Sequence, residues 1–206
     1  MQKSSFFKNF AILSIIAAVL TAISTPILQA QVWKVVFNLN LDKNKEQAER
    51  LATLASIDLE RGEHPDVVLA KIQNMLENTP QSAEHFACIV EEQDVVIAHP
   101  KRSNINKDVE GWTIQNDVEI KTYTQSAGEG VEFGGIQTRL DGSQDITYQV
   151  PISSKPWSVC VHTKLDLVKQ QARMIMQKIA LVVLPSVFLI VLISAFLISR
   201  EKALPG

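Results

Sequence analysis

The residue types that most often carry out chemistry are present in this chain, but their spacing matches no catalytic or metal-binding motif. No ligand spacing relates the histidines, which are His64, His85, His99 and His162. The acidic residues that could form a carboxylate site are unpaired, and we expect them on a solvated surface: Asp94, Asp108, Glu110 and Asp117. No nucleophile motif and no phosphate-binding loop occurs. We therefore expect no catalytic residue, no metal site, no cofactor and a protein that is not an enzyme.

A β-hairpin is the clearest local element that could position a site. Two short apolar runs, Phe86–Val90 and Val95–Ala98, are rich in β-branched residues and flank the polar stretch Glu91–Asp94. This pattern predicts two antiparallel strands joined by a tight exposed turn. Pro100 cannot continue a strand ladder, so we expect the second strand to end before it.

Two helices are predicted before the hairpin. The first is one long helix that leaves a membrane segment and ends at Gly62. Its middle stretch, Asp42–Gln47, is polar all round, and we expect it to be solvated or to lie at a dimer seam. The second helix begins at residues 64–66, where Pro65 suits the first helical turn and Asp66 suits the helix dipole.

Residues 101–129 form a long and mostly polar connection, which contains Trp112 and Tyr123. Such a connection inside a compact domain is often functional. We predict a short helix near Asn116–Tyr123. Three strands joined by short turns follow, and they span Gly130–Leu140, Asp145–Ile152 and Trp157–His162. Together with the hairpin they predict five antiparallel strands with helices on one face, an α+β fold.

Two uncharged apolar segments lie outside this region. Phe10–Leu28 and Ile179–Ser199 are each close to the roughly 20 residues that a helix needs to cross a bilayer. We predict transmembrane helices over residues 10–30 and 179–199. For the first segment a cleaved signal peptide is the alternative, although its apolar run is longer than the core of a typical signal peptide. The predicted organisation is therefore a cytoplasmic N-terminus over residues 1–9, a middle domain over residues 31–178 and a short cytoplasmic tail over residues 200–206.

The charge distribution argues against a nucleic-acid partner, and it bears on which side of the membrane the middle domain lies. A formal net charge of −2 gives no basic footprint for nucleic acid. Lysines and arginines are more numerous on the inner flanks of the two apolar segments, and a plain count would place the middle domain in the cytoplasm. Long loops are translocated largely regardless of charge. Since the start of the chain resembles a signal sequence, we expect a translocated middle domain.

A heptad-like apolar stripe enters the second apolar segment, formed by Leu165, Val168, Ala172, Ile175 and Ile179. Either this face packs on its own domain, or the helix is a rigid rod that couples the domain to the membrane across a homodimer. Both can hold for the same helix.

The order of these elements and four short motifs resemble a single Cache (PAS-like) extracytoplasmic sensor domain of bacterial chemoreceptors and sensor kinases. The motifs lie within Val32–Lys178 and are Asp94–Pro100, Asn106–Asp108, Val150–Ile152 with Trp157–Val159, and Leu165-Asp166. Asp94 and Asn106 stand where glycine is common in the family. The Arg-Trp-Tyr cluster of the amino-acid-binding relatives is not found.

The resemblance implies a ligand pocket between the sheet and the long connection. The candidate ligand-binding residues by position are His99, Trp112, Tyr123, Arg139 and Tyr148. Aromatic walls and a few fixed polar groups suit a small solute, and Arg139 could hold a carboxylate or the carboxylate of an amino acid. Each candidate also has a purely structural interpretation, as a core aromatic, a strand end or a turn flank.

The same resemblance places Cys88 and Cys160 on neighbouring central strands. Outside the cytoplasm a disulfide between them is permitted. Neighbouring strands rarely offer suitable geometry for a disulfide, and free cysteine packs well as a small apolar residue. Both alternatives stay open at this point.

The function that these patterns favour is a membrane-anchored sensor module in the inner (cytoplasmic) membrane, with its domain facing the periplasm or exterior. It would bind a small solute and pass the signal through its second transmembrane helix. Only a short segment follows that helix, so the output would come from a separate cytoplasmic protein or from the rest of a longer receptor. The alternative is a structural or partner-binding membrane subunit with a vestigial PAS-like fold.

Overall fold

The structure is a computed structural model, which describes residues 2–79, 84–122, 125 and 129–201 of the chain. The chain divides into two compact units. One unit is Val36–Lys169, and the other combines Met1–Val35 with Gln170–Gly206.

The unit that contains both chain ends consists of parts of two long helices. Helix α1 spans Gln2–Glu60, and helix α3 spans Leu165–Glu201. Both helices are long and apolar enough to cross a membrane, as judged by length and composition, with mean hydropathies of 2.3 and 3.0 over their most apolar windows. Within this unit the Asn9 side-chain amide donates a 3.2 Å hydrogen bond to the Ser199 hydroxyl.

In the Val36–Lys169 unit, α1 continues without a break to Glu60, as the sequence predicts. Gly62 follows with a φ of +84°, a conformation that suits glycine after a helix end. Helix α2 spans Pro65–Asn78. Its start is also as predicted, since the His64 ring accepts a hydrogen bond from the Asp66 backbone N–H and Pro65 occupies the first turn.

The remaining chain forms one antiparallel sheet with the strand order β2-β1-β7-β6-β5-β3-β4. The strands are β1 His85–Glu91, β2 Val96–Ala98, β3 Thr113–Gln115, β4 Ile120–Thr122, β5 Phe133–Thr138, β6 Gln144–Ile152 and β7 Trp157–Lys164. The α+β class with a long N-terminal helix is thus confirmed, and the sheet contains strands at all five predicted places. It has seven strands because the long connection adds β3 and β4.

The helix predicted near Asn116–Tyr123 is wrong for the described residues. Strands β3 and β4 form a hairpin there, and its turn is closed by the Asn116 side chain. The Asn116 carboxamide oxygen accepts hydrogen bonds from the backbone N–H groups of Val118 and Glu119, at 2.8 and 2.9 Å. Such a local side-chain bond gives the backbone an alternative to a helix. Tyr123 lies outside the described residues.

One face of the sheet is apolar and packs against α1 and α2. The buried cluster consists of Ala48, Ala52, Ala55, Val68, Ile72, Leu76, Ala87, Ile89, Ala98, Val150, Ile152, Val159 and Val161. The buried residues of this cluster that come from α1 are all alanines, so the helix backbone can approach the strands closely. Because side chains alternate along a strand, the intervening residues of β1, β6 and β7 point to the other face.

The polar stretch Asp42–Gln47 contains a buried contact with the sheet, so the prediction that it is solvated or at a dimer seam is wrong for Asn44. Asn44 has no exposed surface, donates a 2.8 Å hydrogen bond to the Ile146 carbonyl and accepts one of 2.9 Å from the Thr163 hydroxyl. Gln47, one turn later, contacts the His85 ring at 2.9 Å. The polar residues of this turn therefore attach α1 to strands β1, β6 and β7.

The paired glycines of β5 mark a close approach of the backbone, one of the two possibilities that the sequence raises. A Cβ atom at Gly135 would lie 2.1 Å from the Gln115 carbonyl oxygen, which belongs to the main chain and cannot rotate away. A Cβ atom at Gly134 would instead lie 2.2 Å from the Tyr148 ring, a side chain that is only partly buried.

We expect Gly135→Ala to lower the free energy of unfolding by about 1–3 kcal/mol, because overpacking forces the backbone of β3 or β5 to shift. Gly134→Ala is the matched control and should cost less, since the Tyr148 ring can turn aside. Circular dichroism melting of the full chain in detergent micelles would measure both. A melting temperature for Gly135→Ala at or above that of the wild type would contradict the close approach.

Candidate functional site

The second face of the sheet is polar although it is buried. Six polar side chains of β5, β6 and β7 on this face are at most 2% exposed: Ser158, His162, Asp145, Thr147, Gln149 and Gln137. Strand pairing places them in rows across the sheet, because Phe86 pairs with His162, and His162 pairs with Thr147. Buried polar side chains cost free energy unless they are hydrogen-bonded, so a face of this composition marks a candidate site.

A cavity of about 390 Å³ lies on this polar side of the sheet. Its apolar wall is formed by Phe86, Val90, Val96, Val109, Trp112 and Leu140, and the polar groups around it are Cys88, His99, Asn104, Lys107, Arg139, Asp141 and His162. This size and composition are within the range of small-molecule sites in proteins.

Two residues, one on each side of β2, adopt the left-handed conformation, and the segment after β2 contributes residues to the lining of the cavity. Asp94 and Asn106 have φ angles of +61° and +66°, which asparagine and aspartate tolerate better than other side chains. The chain then folds back beside β2, and the Val96 N–H donates to the Lys107 carbonyl at 2.9 Å while the Asn106 N–H donates to the Val96 carbonyl at 2.8 Å. This explains physically why these two residues stand where the resembled family often has glycine.

Three of the five candidate residues meet at this cavity: His99, Trp112 and Arg139. Tyr148 lies on the opposite face, where its ring packs beside Lys45 of α1 and its hydroxyl donates a 3.1 Å hydrogen bond to Glu132. Tyr123 lies outside the described residues. The roles of these side chains in binding remain predictions.

Arg139 is held rigidly at the cavity by two neighbours. Its Nη2 atom donates to the Asp145 carboxylate, which is 2% exposed, and its guanidinium carbon lies 4.9 Å from the centre of the Trp112 ring. The Arg139 Nε atom is buried and donates no hydrogen bond to any residue that the structure describes. The Nε and Nη2 atoms form one edge of the guanidinium, and Asp145 lies at this edge. The Arg139 side chain as a whole remains 24% exposed and lines the cavity.

His99 is 9% exposed and is positioned by α2. The Gln73 carboxamide accepts a hydrogen bond from the His99 N–H and donates one to its carbonyl, each at 2.9 Å. The His99 Nδ1 atom accepts a 2.9 Å hydrogen bond from the Lys101 N–H, which leaves the proton of the neutral ring on Nε2. Burial is the main cause that lowers the pKa of His99.

A thiol–imidazole pair, Cys88 and His162, also faces the cavity, and no local pattern in the sequence indicates it. The Cys88 Sγ atom lies 3.3 Å from His162 Nε2, and His162 Nδ1 lies 2.9 Å from the Thr147 hydroxyl. The Thr147 hydroxyl donates a 2.7 Å hydrogen bond to the Gln137 side-chain carbonyl. These residues are far apart in sequence, and only the pairing of β1, β7, β6 and β5 brings them together.

Cys88 and Cys160 are directly opposite each other on β1 and β7, and both are free, buried thiols. Hydrogen-bonded and non-hydrogen-bonded residue pairs alternate along the β1–β7 ladder. The hydrogen bonds from the Lys164 N–H to the Glu84 carbonyl and from the Glu92 N–H to the Pro156 carbonyl show which pairs are hydrogen-bonded. By that alternation the cysteines are a hydrogen-bonded pair. Residues opposed in this way typically have Cβ atoms near the upper end of a range of roughly 4.5–5.5 Å. A disulfide needs about 3.5–4.5 Å, so this position favours free thiols.

We expect the melting temperature to fall as pH is lowered through about 6.5, the ordinary pKa of histidine. Burial lowers the pKa values of His99 and His85 in the fold, so the unfolded chain binds more protons in this window and gains stability relative to the fold. Arg102 holds the pKa of Glu77 at about 2, so that carboxylate stays charged throughout the window.

His99→Asn should flatten this pH slope, because the asparagine side chain can still accept from the Lys101 N–H but does not titrate. His64→Asn is the matched control, because it removes an exposed histidine outside the cavity, and its slope is compared with that of His99→Asn. Thermal melts of the full chain at several pH values between 5 and 8 would provide the measurement. An unchanged slope in His99→Asn would contradict the assignment.

No family profile and no curated protein sequence matches this chain. Its fold is similar to that of several solved sensor domains. One is a Cache chemosensory domain described in terms of carboxylic acid recognition, with 9% identity, a TM-score of 0.45 and coverage of 64% of this chain and 97% of that domain. A methyl-accepting chemotaxis protein from Vibrio parahaemolyticus RIMD 2210633 has 11% identity, a TM-score of 0.48 and coverage of 68% and 98%.

A periplasmic sensor domain of a chemotaxis protein is also similar, with 16% identity, a TM-score of 0.41 and coverage of 68% of this chain and 96% of that domain. These solved domains are of the class that the sequence motifs resemble. At these identities and TM-scores the likeness concerns the fold, and it carries no information on the ligand of this chain.

Proposed function

We propose that the Val36–Lys169 unit binds a small anionic solute in the 390 Å³ cavity, and that the chain is a membrane-anchored sensor module. The observation that carries this proposal is the Arg139 side chain, which lines the cavity, is fixed by Asp145 and Trp112, and remains 24% exposed. A ligand carboxylate that meets the exposed part of this guanidinium would gain a charge-assisted hydrogen bond.

The charges around the cavity also favour an anion. Arg139 and Lys107 are its cationic groups and Asp141 is its carboxylate. Because Asp145 and the Trp112 ring already fix the Arg139 guanidinium, binding would cost little side-chain entropy. A small carboxylic acid or an amino acid fits this arrangement, with its apolar part against the aromatic wall.

The proposed organisation keeps the boundaries inferred from the sequence. Residues 10–30 and 179–199 would be transmembrane helices, and residues 31–178 would form the extracytoplasmic sensor domain. The hydropathy of the two long helices supports this arrangement. Ligand binding would shift a pre-existing conformational equilibrium of the domain. In a homodimer, α3 would then pass the change across the inner membrane to a separate output module.

The alternative function is a structural or partner-binding subunit with a vestigial fold, and it predicts a different interior for the pocket. It predicts that the protein's own side chains fill the pocket. An open cavity with polar groups beside Trp112 therefore favours the sensor.

Arg139→Lys provides the sharpest test of the proposed function. It keeps a positive charge beside Asp145 but removes the planar fork, so we expect the affinity for the ligand to fall about tenfold or more with a small change in melting temperature. Arg102→Lys is the matched control, since Arg102 is an exposed arginine that pairs with Glu77 outside the cavity.

The measurement is the thermal shift of the full chain in detergent micelles against a panel of small carboxylates and amino acids. A ligand present at about 100 times its Kd should stabilise the fold by about 2.7 kcal/mol. The proposal fails if no compound raises the melting temperature, or if Arg139→Lys binds as tightly as Arg102→Lys does.

A further inference from the structure

We propose that Cys88 is a nucleophilic thiol that adds reversibly to small α,β-unsaturated carbonyl compounds in the cavity, with His162 as its base. This inference names a second class of ligand for the same cavity. It rests on the proposed function only in requiring that the cavity admits small solutes.

The hydrogen bonds around His162 set its tautomer. The Thr147 hydroxyl donates its proton to Gln137, so its oxygen is free to accept from His162 Nδ1–H at 2.9 Å. The lone pair of Nε2 then faces Cys88 Sγ at 3.3 Å and can take the thiol proton. A nucleophile, a base and a group that orients the base are thereby in hydrogen-bond contact, which is the arrangement of activated nucleophiles in proteins.

The surroundings of Cys88 favour its thiolate. The groups that face it are Cys160 and His162 from β7 and His99 after β2. The hydrogen bond from the Cys160 thiol lowers the pKa of Cys88 against the burial that raises it, and the charge interaction with His162 lowers it further. Thiolates are the reactive form of cysteine.

Access distinguishes the two cysteines. Cys88 lines the cavity together with His162 and Phe86, whereas Cys160 has no exposed surface and does not line it. The apolar and aromatic wall suits an unsaturated organic molecule, and the cationic groups can bind its carbonyl oxygen or an attached carboxylate.

Addition fits this site better than oxidation does. Oxidation of Cys88 would be resolved most directly by Cys160, but the hydrogen-bonded pairing of the two residues keeps their Cβ atoms too far apart for an unstrained disulfide. Addition requires no second thiol and no external oxidant.

The addition step is balanced by the groups present. The thiol proton passes to His162 Nε2, and Cys88 Sγ forms a bond to the β-carbon as the carbon–carbon π bond breaks. The electron pair moves to the α-carbon and carbonyl oxygen as an enolate, which takes the proton back from His162. The reverse elimination restores both the thiol and the free compound, so occupancy can follow concentration.

The test measures adduct formation on the full chain in detergent micelles by intact mass spectrometry, with N-methylmaleimide as the probe. The chain has two cysteines, and Cys160 is kept in this measurement because its thiol contributes to the lowered pKa of Cys88. We expect one adduct on the folded chain, and a rate at pH 6 about tenfold above that of N-acetylcysteine, because a lowered pKa leaves a larger fraction of the thiol ionised. Cys88→Ala should form no adduct when folded and one adduct in urea.

Two further variants separate a base from a merely structural neighbour. His162→Gln should move the inflection of the rate–pH profile towards about 8.5, the ordinary pKa of cysteine, and Thr147→Val should shift it in the same direction by less. His85→Gln is the control histidine and should leave the profile unchanged. Circular dichroism would verify that each variant is folded.

The proposal is overturned if Cys88 reacts only in urea, or if His162→Gln keeps the wild-type profile. These results are distinct from failure of the proposed function. Carboxylate binding without reaction at Cys88 would contradict the thiol chemistry alone. Reaction at Cys88 without carboxylate binding would contradict the proposed anion site alone. A carboxylate that raises the melting temperature should also slow adduct formation, because both occupy one cavity.

Discussion

The pairing register of β1, β7 and β6 is the constraint on which the rest of the structure depends. These strands are long and directly paired, and each sends alternate residues to opposite faces. In the observed register, Ala87, Val161 and their neighbours meet the helices, while Cys88 and His162 meet the cavity. A slip by one residue would bury the polar set under α1 and α2, at a large cost in desolvation.

This two-sided sheet requires that its polar face is compensated by hydrogen bonds. Much of that compensation comes from within the face itself, as in the contact of Arg139 with Asp145 and the chain from Gln137 through Thr147 to His162. A buried ion pair often contributes little net stability, because desolvation offsets the attraction, but removal of one partner leaves a costly buried charge. The Arg139–Asp145 pair therefore fixes a geometry more than it adds stability.

Local patterns predicted the local elements well. The hairpin, the start of α2 and the three later strands depend on alternation, proline and turn residues, which act over a few positions. The sequence does not predict β3 and β4, because each contains one apolar residue, whereas the equally short β2 lies within an apolar run. The side chain of Asn116 rather than an apolar pattern closes the turn between β3 and β4.

The candidate site was predictable only in part, and for physical reasons. His99, Trp112 and Arg139 lie at strand ends and in the long connection, where position along the chain already restricts location. Tyr148 shares a face with Ile146 and Val150, and that apolar face is the one that packs on the helices. The pairing of His162 with Cys88, and the burial of Asn44, depend on contacts between distant segments that no local pattern reveals.

Strand β7 ends at Lys164, and helix α3 begins at the next residue. Within β7, His162 and Cys160 belong to the cavity face, while Thr163 holds Asn44 of α1 from the other side. No loop separates the strand from the helix, and loops are usually the more mobile parts of a fold. The junction is therefore stiff. A displacement of the β7 backbone by even a fraction of an ångström would be passed directly to the first turn of α3.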